Sequence, residues 1–188
     1  MMAAAIFAMA VPAVATTEEP EENYQIVTHL TVDQALKKIF PNAQDILRTK
    51  VSLDAQQAKK VESRVGHALA TTDVEIFIGK REGKVLGYAM MDEEIGKYRP
   101  ITSMIGVAPT GEVLGVAIMV YRESRGGEGA HQRFLQQYKG KTSRDSIRVR
   151  QDIVAISGAT LSVRAVSTQV RKALAVVEEV FLKGVPSR

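Results

Sequence analysis

The stretch Ser157-Gly158-Ala159-Thr160, followed by Leu161-Ser162, carries the residue types best suited to chemistry. It lies where an apolar run, Ile153 to Ile156, gives way to a long amphipathic pattern. Small residues let the backbone turn tightly and let a bulky group come close. A helix beginning there aims unpaired N–H groups and the positive end of its dipole at whatever lies in front of it. An anion is favoured at such a place, and the Thr160 hydroxyl would be displayed beside it. The chemistry implied is that of a phosphate seat, and these residues alone do not say which phosphate.

The remaining composition narrows the chemistry by exclusion. The chain of 188 residues has no Cys. Disulfides, thiolate catalysis, iron–sulfur clusters and thioether haem attachment are therefore excluded. Its three His residues, His29, His67 and His131, are scattered and give no metal-ligand spacing. Redox chemistry in such a chain needs a borrowed organic cofactor. The net charge of +4 comes from dispersed Lys and Arg, and only 5% of residues are aromatic, so neither a phosphate-tracking patch nor a base-stacking platform for nucleic acid is indicated.

The elements that must position the turn follow from periodicity. Val163, Val166, Val170, Leu174, Val177 and Phe181 recur at helical steps and predict a last helix over about 162–183, with Ser162 as N-cap. Thr31 to Phe40 reads as a short helix, capped by Thr31 with Gln34 three residues on. Asp54 to Ala70 reads as a second one. Val74, Ile76 and Ile78 alternate, and Arg81 to Lys84 turns the chain into a strand over 85–91. Residues 101–107 and 112–121 form a second hairpin around Pro109-Thr110-Gly111. Four such strands with helices predict an α+β domain: a curved antiparallel sheet packed with helices, and a long C-terminal helix after the turn.

Two further stretches stand out. Glu123 to Gly129 contains three glycines in four positions, a loop that lets backbone approach a flat ligand, ahead of a helix expected over 130–138. Lys139 to Arg150 carries Lys139, Lys141, Arg144, Arg148 and Arg150 against Asp145, either a solvated face or a landing site for an acidic partner. At the other end, residues 1–15 are uncharged and apolar and end Ala13-Val14-Ala15, as an export signal does before its cleavage site, and an acidic linker follows over 16–30. The usual basic start is missing, so the true start is expected to lie upstream. No stretch reaches the length of a membrane span.

The SGATLS turn with its amphipathic helix resembles the covalent flavin site of the FMN-binding domain. That family includes the Rnf complex G subunit, the C subunit of the sodium-pumping NADH:quinone reductase, and lone exported FMN-binding proteins. The resemblance covers most of residues 31–180. Ala35 to Ala43 is similar to the family's helix and FPxA opening, and Gly96-Lys97 with residues 101–106 to its glycine-led strand. Tyr121 to Gly127 resembles its glutamate-and-glycine loop, and Phe134 to Lys141 the segment after it.

The resemblance implies a domain over 31–188 that carries FMN through a phosphoester bond to Thr160, with Ser157, Gly158, Ala159 and Leu161 shaping the seat. It implies polar contacts to the flavin ring from Glu123 and Ser124, with Gly126 in the same loop. A separate magnesium-dependent flavin transferase, with FAD as donor, would install the group. The family motif usually has an Asp three residues before the Ser, where this chain has Val154; the nearest acid, Asp152, either substitutes in recognition or leaves loading less efficient. The expected function is that of an exported flavoprotein, periplasmic or on the outer face of the cytoplasmic membrane. It would pass electrons between redox partners such as a cytochrome or a membrane oxidoreductase. The alternatives are a flavin-dependent reductase of a small acceptor and a cofactor-free assembly module.

Overall fold

A computed structural model describes residues 27–28, 30–122, 134–155 and 157–183. Its frame is an antiparallel six-stranded sheet. The strands are β1 (Val27–Thr28), β2 (Asp45–Ser52), β3 (Asp73–Arg81), β4 (Lys84–Ile95), β5 (Pro100–Val107) and β6 (Val113–Tyr121). Their order is β1-β6-β5-β4-β3-β2, so β2 to β6 form a meander and β1 adds to its far edge. Both expected hairpins are present. Glu82 and Gly83 join β3 to β4 with positive φ of 50° and 72°, the two-residue turn whose twist suits a hairpin.

β2 is an addition to the four strands expected. It is an edge strand, and Ile46 and Leu47 are 41% and 51% exposed. With little of it buried, its apolar residues are under no pressure to alternate, and its sequence lacks the strand period. β1 falls in the stretch read as a linker, so pairing with the sheet begins inside that stretch.

Helices cover both faces. On one, α1 (Val32–Ile39) sets Ala35, Leu36 and Ile39, with Phe40 just beyond, against Phe77, Ala89, Met104, Ala117 and Met119. It lies so close that a Cβ on Gly106 would meet Ile39 Cγ2 at 2.2 Å. Its N-terminus is capped as expected: Gln34 N–H donates to Thr31 Oγ1 at 3.3 Å, and Thr31 N–H donates to Gln34 Oε1 at 2.9 Å.

On the other face lie α2 (Ala55–Val65) and α3 (Thr160–Val177), over Ile76, Met90, Ile101, Ile105 and Ile118. α2 is shorter than the expected 54–70. Gly66 adopts φ 93°, a left-handed C-cap that ends the helix where a side chain would be strained. α3 starts at Thr160 rather than Ser162, which corrects the expected cap: Ala159 is the N-cap, and Ser162 is a buried first-turn residue. Its stripe of Val163, Val166, Val170, Leu174 and Val177 is buried as the periodicity requires. Glu178–Leu182 continues it as a π-helical turn, where Phe181 stacks on Tyr88 at 4.4 Å between ring centroids.

Polar contacts fix α3 along its length. Gln169 Nε2 donates to Ile101 O at 2.7 Å, and Lys172 Nζ to Asp92 Oδ1 at 2.7 Å. Both bonds tie the helix to the β4–β5 pair. No helix among the described residues is long and apolar enough to cross a membrane.

Candidate functional site

The β5–β6 register sets up the site. Thr102 pairs with Val120 but Ser103 pairs with Ile118, leaving Met119 as an extra residue in β6. One extra residue reverses which side chains face which side. Ile118 faces α3, Met119 and Val120 pack on the α1 side, and Tyr121 is returned to the α3 side. There the Tyr121 hydroxyl meets Ser162 Oγ at 3.3 Å, both residues being buried.

A second tyrosine holds the next turn of the helix. Phe134 to Tyr138 lies in the region expected to be helical; its described part ends in a 3₁₀ turn, Gln136–Tyr138, that buries Tyr138 completely. The Tyr138 hydroxyl sits 2.8 Å from Ser167 Oγ and 3.4 Å from Val163 O. Burial raises its pKa above the ordinary phenol value, more than the Ser167 bond lowers it. Sequence reasoning missed both tyrosines as supports. The available signal was an aromatic at the end of each apolar segment that leads toward the turn.

The chain then approaches the turn through a braced loop. Asp152 accepts hydrogen bonds from Ser146 Oγ (2.5 Å), Arg148 N–H (2.8 Å), Ile147 N–H (2.9 Å) and Lys141 Nζ (3.2 Å). Desolvation by itself would raise its pKa, but these bonds outweigh it and hold the carboxyl well below the usual carboxylate range. Both Asp152 oxygens are thus occupied inside the loop, which disfavours the expectation that this acid stands in for the family's Asp. Val154, at that Asp's position, is 72% exposed, and its N–H donates to Gln137 Oε1 at 2.9 Å.

The turn expected to form the seat lies at the start of α3. Ser157 and Gly158 are exposed, Ala159 is buried, and Thr160 is half-buried as the first residue of α3. Gly158 adopts φ 80° with open space where a Cβ would lie. Ala159 offers no side-chain atom to cap the helix, and the first turn of α3 contains no acidic residue. The N–H groups of Thr160, Leu161 and Ser162 have no acceptor within the helix, because the first intrahelical bond is Val163 N–H to Ala159 O at 3.0 Å. An uncapped helix start with its dipole unopposed favours an anion, and Thr160 is the first residue of that helix.

Apolar surface lies next to that seat. Leu161 is 41% exposed beside it. Behind the turn, Ile101, Ile118, Tyr121, Phe134 and Val163 line a narrow cleft with about 10 Å³ of enclosed space. That is room for one water. The residues present fit a phosphate group at the start of α3, with Leu161 as apolar surface beside it. Glu123, Ser124 and Gly126, expected to contact the ring, lie outside the described residues.

The chain is similar to known proteins in sequence and in fold. The family model of the FMN-binding domain matches residues 96–175, from the end of β4 to the last turns of α3. The chain is 25% identical over 154 residues to the G subunit of the Na(+)-translocating ferredoxin:NAD(+) oxidoreductase complex of Acetobacterium woodii, covering 77% of this chain and 72% of that protein. Its fold is shared with NqrC of Shewanella oneidensis, at a TM-score of 0.50 and 18% identity over 74% of this chain and 82% of that one. The C subunit of the Na(+)-translocating NADH-quinone reductase of Parabacteroides distasonis gives a TM-score of 0.47 at 20% identity, over 79% and 83%. The segment similar to the FMN-binding domain family, residues 96–175, begins just before β5 and includes the uncapped start of α3, and FMN is the cofactor that this similarity supports.

Proposed function

We propose that Thr160 carries FMN through a phosphoester bond, and that the chain is an exported electron carrier serving a membrane redox complex of the Rnf or Nqr type. The observation that carries this reading is the start of α3: a half-buried Thr160 at a helix end that has neither a side-chain cap nor an acidic residue in its first turn. In the loading step the Thr160 hydroxyl loses its proton, its oxygen bonds to the flavin-side phosphorus of FAD, and the diphosphate bond breaks to release AMP. A separate transferase supplies the catalysis.

The chain's own residues do the holding. The open N–H groups of the first turn and the dipole of α3 stabilise the phosphate charge. Gly158 lets the turn fold back, and Leu161 offers apolar surface to the ring. Tyr121 and Tyr138 keep the helix start in place through Ser162 and Ser167. Bound FMN supplies transfer of one or two electrons, and the protein sets its position and electrostatics. Similarity to the G subunit of the Acetobacterium woodii complex supports a place beside a membrane oxidoreductase. The apolar residues 1–15 support export.

The test is a mass measurement. The chain is produced with a flavin transferase in an exporting host, denatured and weighed. The expected result is a flavin adduct on the wild-type chain and on Thr160→Ser, and none on Thr160→Val, which folds normally. An unmodified wild-type mass with active transferase present would sink the reading.

A further inference from the structure

A groove runs along α3 on the stripe that begins at Thr160. Thr160, Arg164, Thr168 and Arg171 follow one another at steps of four, four and three residues, and so share one side of the helix. The opposite wall is the loop at 147–151, which contributes Arg148. Arg148, Arg164, Ser167, Thr168 and Arg171 line a space of about 290 Å³, near the lower size of a small-molecule site.

The three guanidiniums are not balanced by direct carboxylate partners. Among the described residues, no Asp or Glu oxygen lies within 4.0 Å of the side-chain nitrogens of Arg148, Arg164 or Arg171. Arg171 is instead fixed by neutral oxygens: Nε donates to Arg64 O at 3.1 Å, Nη1 to Ile147 O at 2.7 Å and Nη2 to Thr168 Oγ1 at 2.9 Å. Three of its five N–H donors are spent on holding it still, leaving two for a ligand. Burial, followed by repulsion from Arg148, lowers its pKa, and the more distant charges of Glu94 and Asp152 offset this only in part.

The loop is strained to place Arg148. Ile147 and Arg150 adopt φ of 47° and 68°, a region that β-branched and long side chains rarely enter. The bonds to Asp152 hold this conformation in place. Backbone strain of this kind persists where surrounding structure enforces it, and it is often found at ligand sites.

We propose that this groove is a second anion site, taking the phosphate or diphosphate of a soluble small molecule distinct from any group carried on Thr160. Arg171 lies about 16 Å along the helix from Thr160, too far for one phosphate to serve both. The exposed guanidiniums of Arg148 and Arg164 and the half-buried one of Arg171 line one open groove of small-molecule size, which suits a phosphoryl group because it accepts several charge-assisted bonds at once.

The test uses the full chain carrying Thr160→Val, so that no flavin phosphate is present. Inorganic phosphate, pyrophosphate, ADP and adenosine are titrated by calorimetry at constant ionic strength. Pyrophosphate and ADP are expected to bind saturably, and adenosine not to bind. Arg148→Gln and Arg164→Gln, whose side chains make no bond among the described residues, should each weaken binding about tenfold with the melting temperature unchanged. Lys139→Gln should have no effect. ADP binding tighter than pyrophosphate would identify an ester as the ligand, and equal binding would identify free diphosphate; either supports the site. Absence of saturable binding, or an equal loss with Lys139→Gln, would overturn it. The proposal stands or falls separately from flavin attachment, because Thr160 is already removed.

Discussion

The Tyr121 hydroxyl lies 3.3 Å from Ser162 Oγ and so joins the last residue of β6 to the first turn of α3. Neither residue is close to the other in sequence, and the contact depends on the bulge at Met119. Tyr121→Phe and Ser162→Ala should each cost about 1 kcal/mol of stability. The double variant should cost less than their sum, because either change already removes the shared bond. Urea unfolding of the four proteins measures the coupling. Strict additivity would mean that the two hydroxyls do not interact.

Gly158→Ala tests the backbone of the seat. A Cβ there meets nothing within 4 Å, so the only expected penalty is the left-handed φ of 80°. That should cost about 1 kcal/mol. Thermal melting should record a small, uniform shift, and a loss well beyond it would point to a clash that the turn geometry does not contain.

Asp152 should give the loop an acid-sensitive contribution to stability. Its folded pKa is depressed, so the folded chain binds fewer protons than the unfolded one as pH falls through the carboxylate range. The contribution is complete above the unfolded value of about 3.9 and is lost as pH drops below it. Asp152→Asn should therefore be less stable than wild type at neutral pH, and the gap should narrow toward about pH 2. Denaturant unfolding across that range checks the sign. A gap that stays constant would show that the carboxylate charge is not what braces the loop.

Arg144 and Arg150 lie on the basic stretch but do not line the groove. If that stretch steers an acidic redox partner, Arg144→Glu with Arg150→Glu should slow electron exchange and flatten its salt dependence. Stopped-flow measurements at several ionic strengths decide this. Unchanged rates and slopes would assign these charges to solvation alone.

The parts of the fold legible in the sequence are those with a local cause. Thr31 and Gln34 form a capping box because both partners lie within one helical turn. Glu82-Gly83 reads as a hairpin turn for the same reason, and the small residues at 157–159 mark the turn before α3. The misread parts depend on distant partners. Ser162 looks like a cap because a serine near a helix start usually is one; here Tyr121, 41 residues away, satisfies its hydroxyl in the core. β2 carries little period because it lies at an edge. The convergence of Arg148 with Arg164 and Arg171 is invisible in the sequence, where a charge run and a helix face look equally solvated.

The extra residue at Met119 bears on how the chain can vary over time. Most of the described loops can lengthen or shorten without changing which way a neighbouring side chain points. β6 is different, because the local count decides whether its last residue looks toward α1 or α3. Replacing Met119 with another apolar residue keeps the bulge. Deleting it leaves Ile118, Val120 and Tyr121 in plain alternation with Tyr121 still toward α3, whereas pairing all the present residues without a bulge would turn Tyr121 toward α1. Drift here should therefore tolerate a change of letter, or loss of the residue together with its bulge, but not a bulge-free pairing at the present length.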